Sequence, residues 1–311
     1  MKAIAKIAAI FVVVASSTLL AQWPRYTPPG VLKGPDNNVN LDGPVPKASD
    51  GKPDLSGVWD IIPCIDCPQR GGRGQGAAAA PAQGRGGDAA PAAQGRGDGA
   101  AAGGRGRGAG GQAGGGAARA TMGNVGGDLP GGAPYQPWAA DLVKKRMADN
   151  SKDNPDALCL PMGMAQMNAH PYPRKIIQTP TEVVVIYEGS GTTVREIFLD
   201  GRTLPKDPEP WWNGYSVGRW DGDTLVIESS NFLDGGWLDV TGSPLTDQGK
   251  LTERISRPSF GTLKIEVTVD DPKAYTKPFT VAVNSHLALD TDLLEYACLE
   301  NEKDAARLVG K

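Results

Sequence analysis

Two histidines and a few strand carboxylates are the residues of this chain best suited to acid–base chemistry. His170 lies in the loop sequence AHPYP, whose prolines stiffen the backbone, and His286 lies at a predicted turn. An imidazole titrates near neutral pH, so a rigid loop could place His170 at the edge of a pocket. Together with Glu253 it would make an acid–base couple, although nothing in their spacing requires one. The alternative is an ordinary loop histidine that is hydrogen-bonded to backbone.

Aromatic residues crowd one stretch of the chain, from residue 211 to residue 237. Two of them are adjacent on a predicted loop, where strand alternation cannot bury both side chains. Such a cluster can stack on a planar ligand or a sugar, and the alternative is a barrel core with a loop plug. The residues predicted to hold a ligand are Trp211, Trp212, Tyr215, Trp237 and Arg219, with His170 as a further polar anchor.

Charged residues recur on the predicted strands, and most should face solvent. Any that point inward must pair, because an isolated buried charge is costly. The charged strand residues are Arg195, Arg219, Glu228, Glu253 and Arg254.

The four cysteines predict two disulfides. Cys159 and Cys298 flank the β-rich region, and a bond between them would close a long loop. Cys64 and Cys67 form a Cys-x-x-Cys motif, but a proline and a low-complexity block follow where a redox motif would have a helix. A local structural disulfide is therefore the favoured interpretation of that motif, and a second ligand pair for zinc is missing.

Motifs for other chemistries are absent from the sequence. There is no nucleophile elbow, no P-loop and no dinucleotide fingerprint between a strand and a helix. Two histidines are too few for a histidine metal cluster, and Asp221-Gly222-Asp223 lacks the other ligands of a calcium loop. We therefore expect neither a metal nor a cofactor.

The elements that position these residues are predicted to be short strands. The sequence GYSVGRWDGDTLVIESSNF at 214–232 predicts a hairpin around an Asp-Gly turn, and Thr262–Asp270 alternates apolar and polar residues. Further strands are expected at Glu182–Glu188 and Asp292–Cys298, and one helix over Tyr135–Asn150. Roughly ten strands with regular turns predict a mostly β fold, an antiparallel up-and-down barrel, with a β-sandwich as the alternative.

The remaining segments have distinct compositions. Residues 69–127 are nearly all Gly, Ala, Arg and Gln, which predicts a disordered insertion, because such a segment cannot bury enough apolar surface to offset its ordering entropy. The formal net charge of −3 and the lack of interleaved aromatics argue against nucleic-acid binding. The predicted organisation is a secretory signal at 1–21, an irregular lead-in at 22–53, a first strand at 54–68, the insertion at 69–127, and the helix with the main barrel at 128–311.

Several sequence blocks resemble an uncharacterised family of exported bacterial proteins. These blocks are CLPMG at 159–163, HPYPRKIIQTP at 170–180, REIFLDGR at 195–202, GYSVGRWDGDTLVIES at 214–229, LTERISRPSFGTLKIEVTVDDPKAYTKPF at 251–279 and LLEYACLENEKD at 293–304. The resemblance implies export but no established activity. Gly57-Val58-Trp59 also resembles the Gly-x-Trp of lipocalin-like barrels, which bind small apolar molecules in the barrel mouth.

These observations predict an exported protein, periplasmic or secreted, with no transmembrane segment in the mature chain. It would bind a small apolar or aromatic molecule in a barrel cavity. One alternative is a hydrolase, hydratase or isomerase that uses His170 and a carboxylate. The other is an envelope scaffold whose arginine-rich insertion contacts anionic polymers.

Overall fold

The computed structural model describes residues 33–34, 38–61, 118–120, 124–189, 193–289, 291–298 and 300. Within them, twelve strands and two α-helices follow one another along the chain. The strands are β1 (Gly57–Ile61), β2 (Ala118–Arg119), β3 (Arg174–Gln178), β4 (Glu182–Tyr187), β5 (Val194–Phe198), β6 (Tyr215–Asp221), β7 (Thr224–Ser230), β8 (Gly236–Trp237), β9 (Pro244–Leu245), β10 (Lys250–Ser259), β11 (Thr262–Asp270) and β12 (Phe279–Leu287). The helices are α1 (Pro137–Ala148) and α2 (Met164–Ala169), with a 3₁₀ turn at Pro155–Leu158 between them.

Nine of these strands close into a barrel in the order β1-β3-β4-β5-β6-β7-β10-β11-β12. The ring is completed by β1 pairing with β12, where Trp59 lies opposite Leu287. Closure leaves no free edge in the ring, which distinguishes a barrel from a sandwich. The predicted barrel is therefore confirmed.

One pair departs from the predicted antiparallel pattern. β5 and β6 run parallel, and their registered contact is Phe198 opposite Val217. The residues between them, 199–214, form a long connection instead of a hairpin, so the Asp-Gly pair at 200–201 lies in a loop rather than a tight turn. The barrel is thus mixed, with the other ring pairs antiparallel in the described part of the chain.

The strand predictions succeed where alternation is regular. The Asp-Gly turn joins β6 to β7, and β11 spans Thr262–Asp270 with every second side chain buried. The strand predicted over Asp292–Cys298 is wrong, because its described residues are irregular and mostly exposed. That segment has apolar residues next to one another rather than at alternate positions, so neither of its faces can be buried in a sheet.

Three peripheral segments cover the barrel. Helix α1 lies within the predicted range. It buries Ala139 and Val143, and Trp138 at its start is 45% exposed. The lead-in packs against the turn between β10 and β11. The backbone N–H groups of Phe260 and Gly261 in this turn donate hydrogen bonds to carbonyl oxygens of the lead-in. Residues 118–119, which lie within the predicted insertion, form β2 and pair with β12. The described helices include none that is both long and apolar enough to cross a bilayer.

Candidate functional site

Helix α2 is a plug at one end of the barrel. All six of its residues are buried, including the polar Gln166 and Asn168. Gly163 precedes the helix and packs against the backbone of Trp237, because a Cβ there would lie 2.0 Å from the Trp237 carbonyl oxygen. A single turn of helix is unstable by itself, so this tight packing holds α2 in place.

Beneath the plug, a buried ion pair joins β5 to β10. Arg195 donates to the carboxylate of Glu253, and both side chains are almost completely buried. Arg195 also donates to Ser229 Oγ at 2.9 Å and to Ser216 Oγ at 3.2 Å. Although burial disfavours the charge, the carboxylate of Glu253 raises the pKa of Arg195. The inward-pointing charges predicted to pair do so here.

Asn168 of α2 connects this ion pair to the rest of the buried cluster. Its amide nitrogen donates to Glu253 Oε1 at 2.9 Å, and its backbone oxygen accepts from Arg174 Nη1 at 2.9 Å. The Tyr187 hydroxyl donates to Asn168 Oδ1 at 3.3 Å, and burial raises the pKa of Tyr187. Arg174 also donates to Ser285 Oγ. One helix residue therefore ties together groups from β3, β4 and β10.

A small cleft opens beside this cluster. Its empty volume is about 200 Å³, part of it open to solvent. That volume counts open solvent together with enclosed space, so it does not by itself set the size of a ligand. Its wall is largely apolar and aromatic, and the lining residues are Met162, Met167, His170, Tyr172, Pro173, Tyr187 and Gly189.

His170 lies in the wall of this cleft, stacked on Tyr172 with ring centroids 4.4 Å apart. Its Nδ1 atom is buried and has no hydrogen-bond partner among the described residues. Burial lowers the pKa of His170 and outweighs the opposing effect of the Asp156 carboxylate, so the ring is neutral at pH 7. Burial likewise raises the pKa of Asp156.

The structure does not join His170 to Glu253. The hydrogen bonds of Glu253 within the described residues go to Arg195 and Asn168. The carboxylate that acts electrostatically on His170 is Asp156, in the 3₁₀ turn before α2. A role for His170 and Glu253 as an acid–base couple stays a prediction.

The predicted aromatic ligand residues fall into separate places. Trp211 and Tyr215 are neighbours, with ring centroids 5.7 Å apart, on the outer side of β6 where Trp211 is 49% exposed. Trp212 beside them is half-buried. Trp237 is buried in β8 under the guanidinium of Arg146. Arg219 is exposed and pairs with Glu228 at 3.6 Å. None of these five lines the cleft beside α2.

The Cys159–Cys298 disulfide is confirmed. It joins the segment just after the 3₁₀ turn to the irregular segment after β12, close to the cleft wall. Tyr296 in that second segment interacts electrostatically with Asp156 and Tyr172, which places it near the same wall. Cys64 and Cys67 lie outside the described residues.

Sequence reasoning missed several residues of this site. Arg174 stands at the very start of a strand, where alternation cannot tell its face. Residues 164–169 are too few for helical periodicity, so the MAQMNA sequence carried no signal for α2. Arg195 was identified as a charged residue on a predicted strand. Ile197 stands two positions later and is buried, so strand alternation places Arg195 on the same, core-facing side. Within the described residues, no group of three or more His, Cys, Asp or Glu side chains could hold a metal ion.

Comparisons of this chain with protein-family models, with curated proteins and with solved structures found no match.

Proposed function

We propose that this chain is an exported bacterial protein that binds a small aromatic molecule in the cleft beside α2. The observation that carries the proposal is the wall of this cleft, where a half-buried imidazole with a buried, unpartnered Nδ1 atom meets aromatic and thioether side chains. Methionine adapts its shape to aromatic ligands, and tyrosine offers a flat apolar face with a polar tip. A planar ring therefore fits the lining better than a flexible chain does.

Two further observations support export. The Cys159–Cys298 disulfide suits an oxidising compartment, because cytosolic proteins rarely keep structural disulfides. The basic start and short apolar run of residues 1–21 favour a secretory signal. The resemblance to exported bacterial proteins points to the same compartment.

Methionine-methyl NMR tests the binding proposal directly. A panel of one-ring and two-ring aromatic compounds is titrated into protein carrying ¹³C-methyl methionine. We expect the methyl signals of Met162 and Met167 to shift, because both line the cleft. The signal of Met147 should stay unchanged, because this residue is exposed on α1 and does not line the cleft. Ligands that quench tryptophan fluorescence without shifting Met162 or Met167 would place binding at Trp211 instead and contradict the proposal.

A glycine variant provides the second part of this test. A Cβ at Gly189 would lie 2.7 Å from the Tyr172 ring, so Gly189→Ala must displace that wall of the cleft. We expect its affinity for the ligand to fall about tenfold, or about 1.4 kcal/mol. Gly127→Ala is the matched control, since its Cβ would lie an ordinary 3.4 Å from Asn124, which does not line the cleft. Equal affinities for the two variants would exclude the cleft as the binding site.

A further inference from the structure

The buried cluster beneath the cleft holds more positive than negative charge. Arg174 and Arg195 are both almost completely buried, and Glu253 is the one carboxylate that contacts this cluster in the described part of the chain. One oxygen of Glu253 accepts from Arg195 and the other accepts from Asn168. The negative charge is thus committed to Arg195, and Arg174 has no carboxylate in contact.

Arg174 makes its described hydrogen bonds to neutral oxygens. They belong to the Asn168 backbone and the Ser285 hydroxyl, and its Nε atom has no partner among the described residues. The carboxylates of Asp60 and Glu253 act on it electrostatically without a described hydrogen bond. Burial lowers the pKa of Arg174, whereas the pKa of the equally buried Arg195 is raised by its carboxylate partner. A guanidinium keeps its proton at neutral pH, so this buried charge has no carboxylate in direct contact within the described residues.

A second unpartnered group is the side chain of Gln166 in α2. The helix ends one residue before His170, which is extended. Gln166 is 1% exposed, and both heteroatoms of its amide lack partners among the described residues. Buried amides are nearly always hydrogen-bonded, so these unused atoms point to a polar group that is brought by a ligand.

The cleft reaches this cluster through two of its lining residues. Pro173 immediately precedes Arg174, and Tyr187 lies directly opposite Arg174 in the register of β3 and β4. The bond from the Tyr187 hydroxyl to Asn168 is 3.3 Å, longer than a typical O–H···O bond, so a stronger acceptor can replace it at little cost. A small group entering beside Tyr187 therefore approaches the guanidinium of Arg174.

We propose that the ligand of this cleft is an aromatic carboxylate, whose ring packs between His170, Tyr172 and the methionines and whose carboxylate pairs with Arg174. Gln166 supplies a second donor. This inference rests on the proposed function. One negative charge would balance the excess positive charge of the cluster, and the aromatic and thioether side chains of the cleft wall offer contacts for a ring.

The test compares two probes of nearly equal shape, benzoate and benzamide, by titration calorimetry and by the methionine-methyl signals. The wild-type protein should bind benzoate at least about tenfold more tightly than benzamide, because only benzoate carries the charge. Arg174→Met should abolish this preference, so that benzoate binds no more tightly than benzamide. Arg257→Met is the matched control, since Arg257 is also buried in the barrel but stacks on Trp59 and bonds backbone oxygens away from the cleft.

A measurement on the wild-type protein keeps the test independent of whether the variants fold. The carboxyl carbon of ¹³C-labelled benzoate is followed by NMR as the pH is lowered. A carboxylate paired with a buried guanidinium should stay ionised to a lower pH when bound than when free. An unchanged benzoate pKa would overturn the pairing with Arg174.

The outcomes separate this inference from the proposed function. Equal binding of both probes, with shifts at Met162 and Met167, would overturn the carboxylate but leave the aromatic cleft intact. Binding of neutral aromatics alone would do the same. Absence of binding by any aromatic compound, or shifts that avoid both methionines, would overturn both proposals.

Discussion

At the scale of single residues, the barrel interior is organised by one carboxylate. Glu253 is completely buried and links β10 to β5 through Arg195 and to α2 through Asn168. A buried ion pair adds little net stability compared with an apolar pair, but removal of one partner leaves a buried charge uncompensated. The geometry of Asn168, and with it the position of the plug, depends on that charge.

We predict that Glu253→Gln destabilises the fold by about 3–5 kcal/mol, because the buried guanidinium of Arg195 would then have no carboxylate in contact. The measurement is urea unfolding at constant slope, followed by far-UV circular dichroism. Glu228→Gln is the control, since Glu228 forms an exposed pair with Arg219 and should cost about 0–1 kcal/mol. Similar midpoints for both variants would mean that the buried network is not held by charge.

The sequence identified part of this network and not the rest, for a physical reason. Glu253 and Arg195 could be named because alternation within a strand assigns a face once apolar neighbours stand two positions away. The inward orientation of Arg174 could not be predicted, because the residues before β3 do not alternate between apolar and polar. A ligand-binding role for Trp211 and Tyr215 stays a prediction, since the two rings are neighbours near the start of β6 and do not line the cleft.

At the scale of elements, α2 decides what the barrel can hold. Helix α2 and the polar groups beneath it fill the end of the barrel beside the cleft, so this end of the barrel is not an open cavity. The plug is positioned from outside by the contact of Gly163 with the β8–β9 hairpin. This contact depends on the absence of a side chain at Gly163, and no periodic pattern in the sequence predicts it.

Gly163→Ala should therefore loosen the plug. An added Cβ would lie 2.0 Å from a backbone oxygen, and backbone cannot move aside as a flexible side chain can. We expect a loss of about 1–3 kcal/mol in stability, and faster hydrogen exchange at the amides of Met167 and Asn168 than elsewhere in the barrel.

Gly127→Ala is the matched control for that substitution, because its Cβ would be 3.4 Å from Asn124 in an exposed turn. The contact assignment would be refuted if Gly163→Ala matched the control in stability and exchange.

At the scale of the whole molecule, strand β12 closes the barrel and anchors both sides of the long insertion. One edge of β12 carries β1, with Ile61 opposite Ser285, and then β2, with Ala118 opposite Val281. Closure could be inferred from consecutive hairpins in the sequence. The parallel pairing of β5 with β6 and the pairing of β2 with β12 could not be inferred from the sequence. In both cases the paired strands have no turn signal between them.

The positions of these two anchors make a prediction about the insertion. Ser285 and Val281 are four residues apart on one strand, so Ile61 and Ala118 lie about 13 Å from each other along its edge. A flexible Gly/Ser linker of about eight residues has a root-mean-square length of about 16 Å and can span this gap. Replacing residues 63–116 with such a linker should keep the barrel folded and raise its stability by about 1–2 kcal/mol, because a shorter loop costs less closure entropy.

Thermal unfolding and hydrogen exchange of β12 measure this effect. The control joins residue 62 directly to residue 117, which leaves three Cα steps, or at most about 11 Å, and should pull β2 away from β12. Fast exchange at Val281 and Ala282 in the control but not in the linker variant is the expected pattern. If the linker variant unfolded as well, the insertion would be required for barrel closure, which would contradict this prediction.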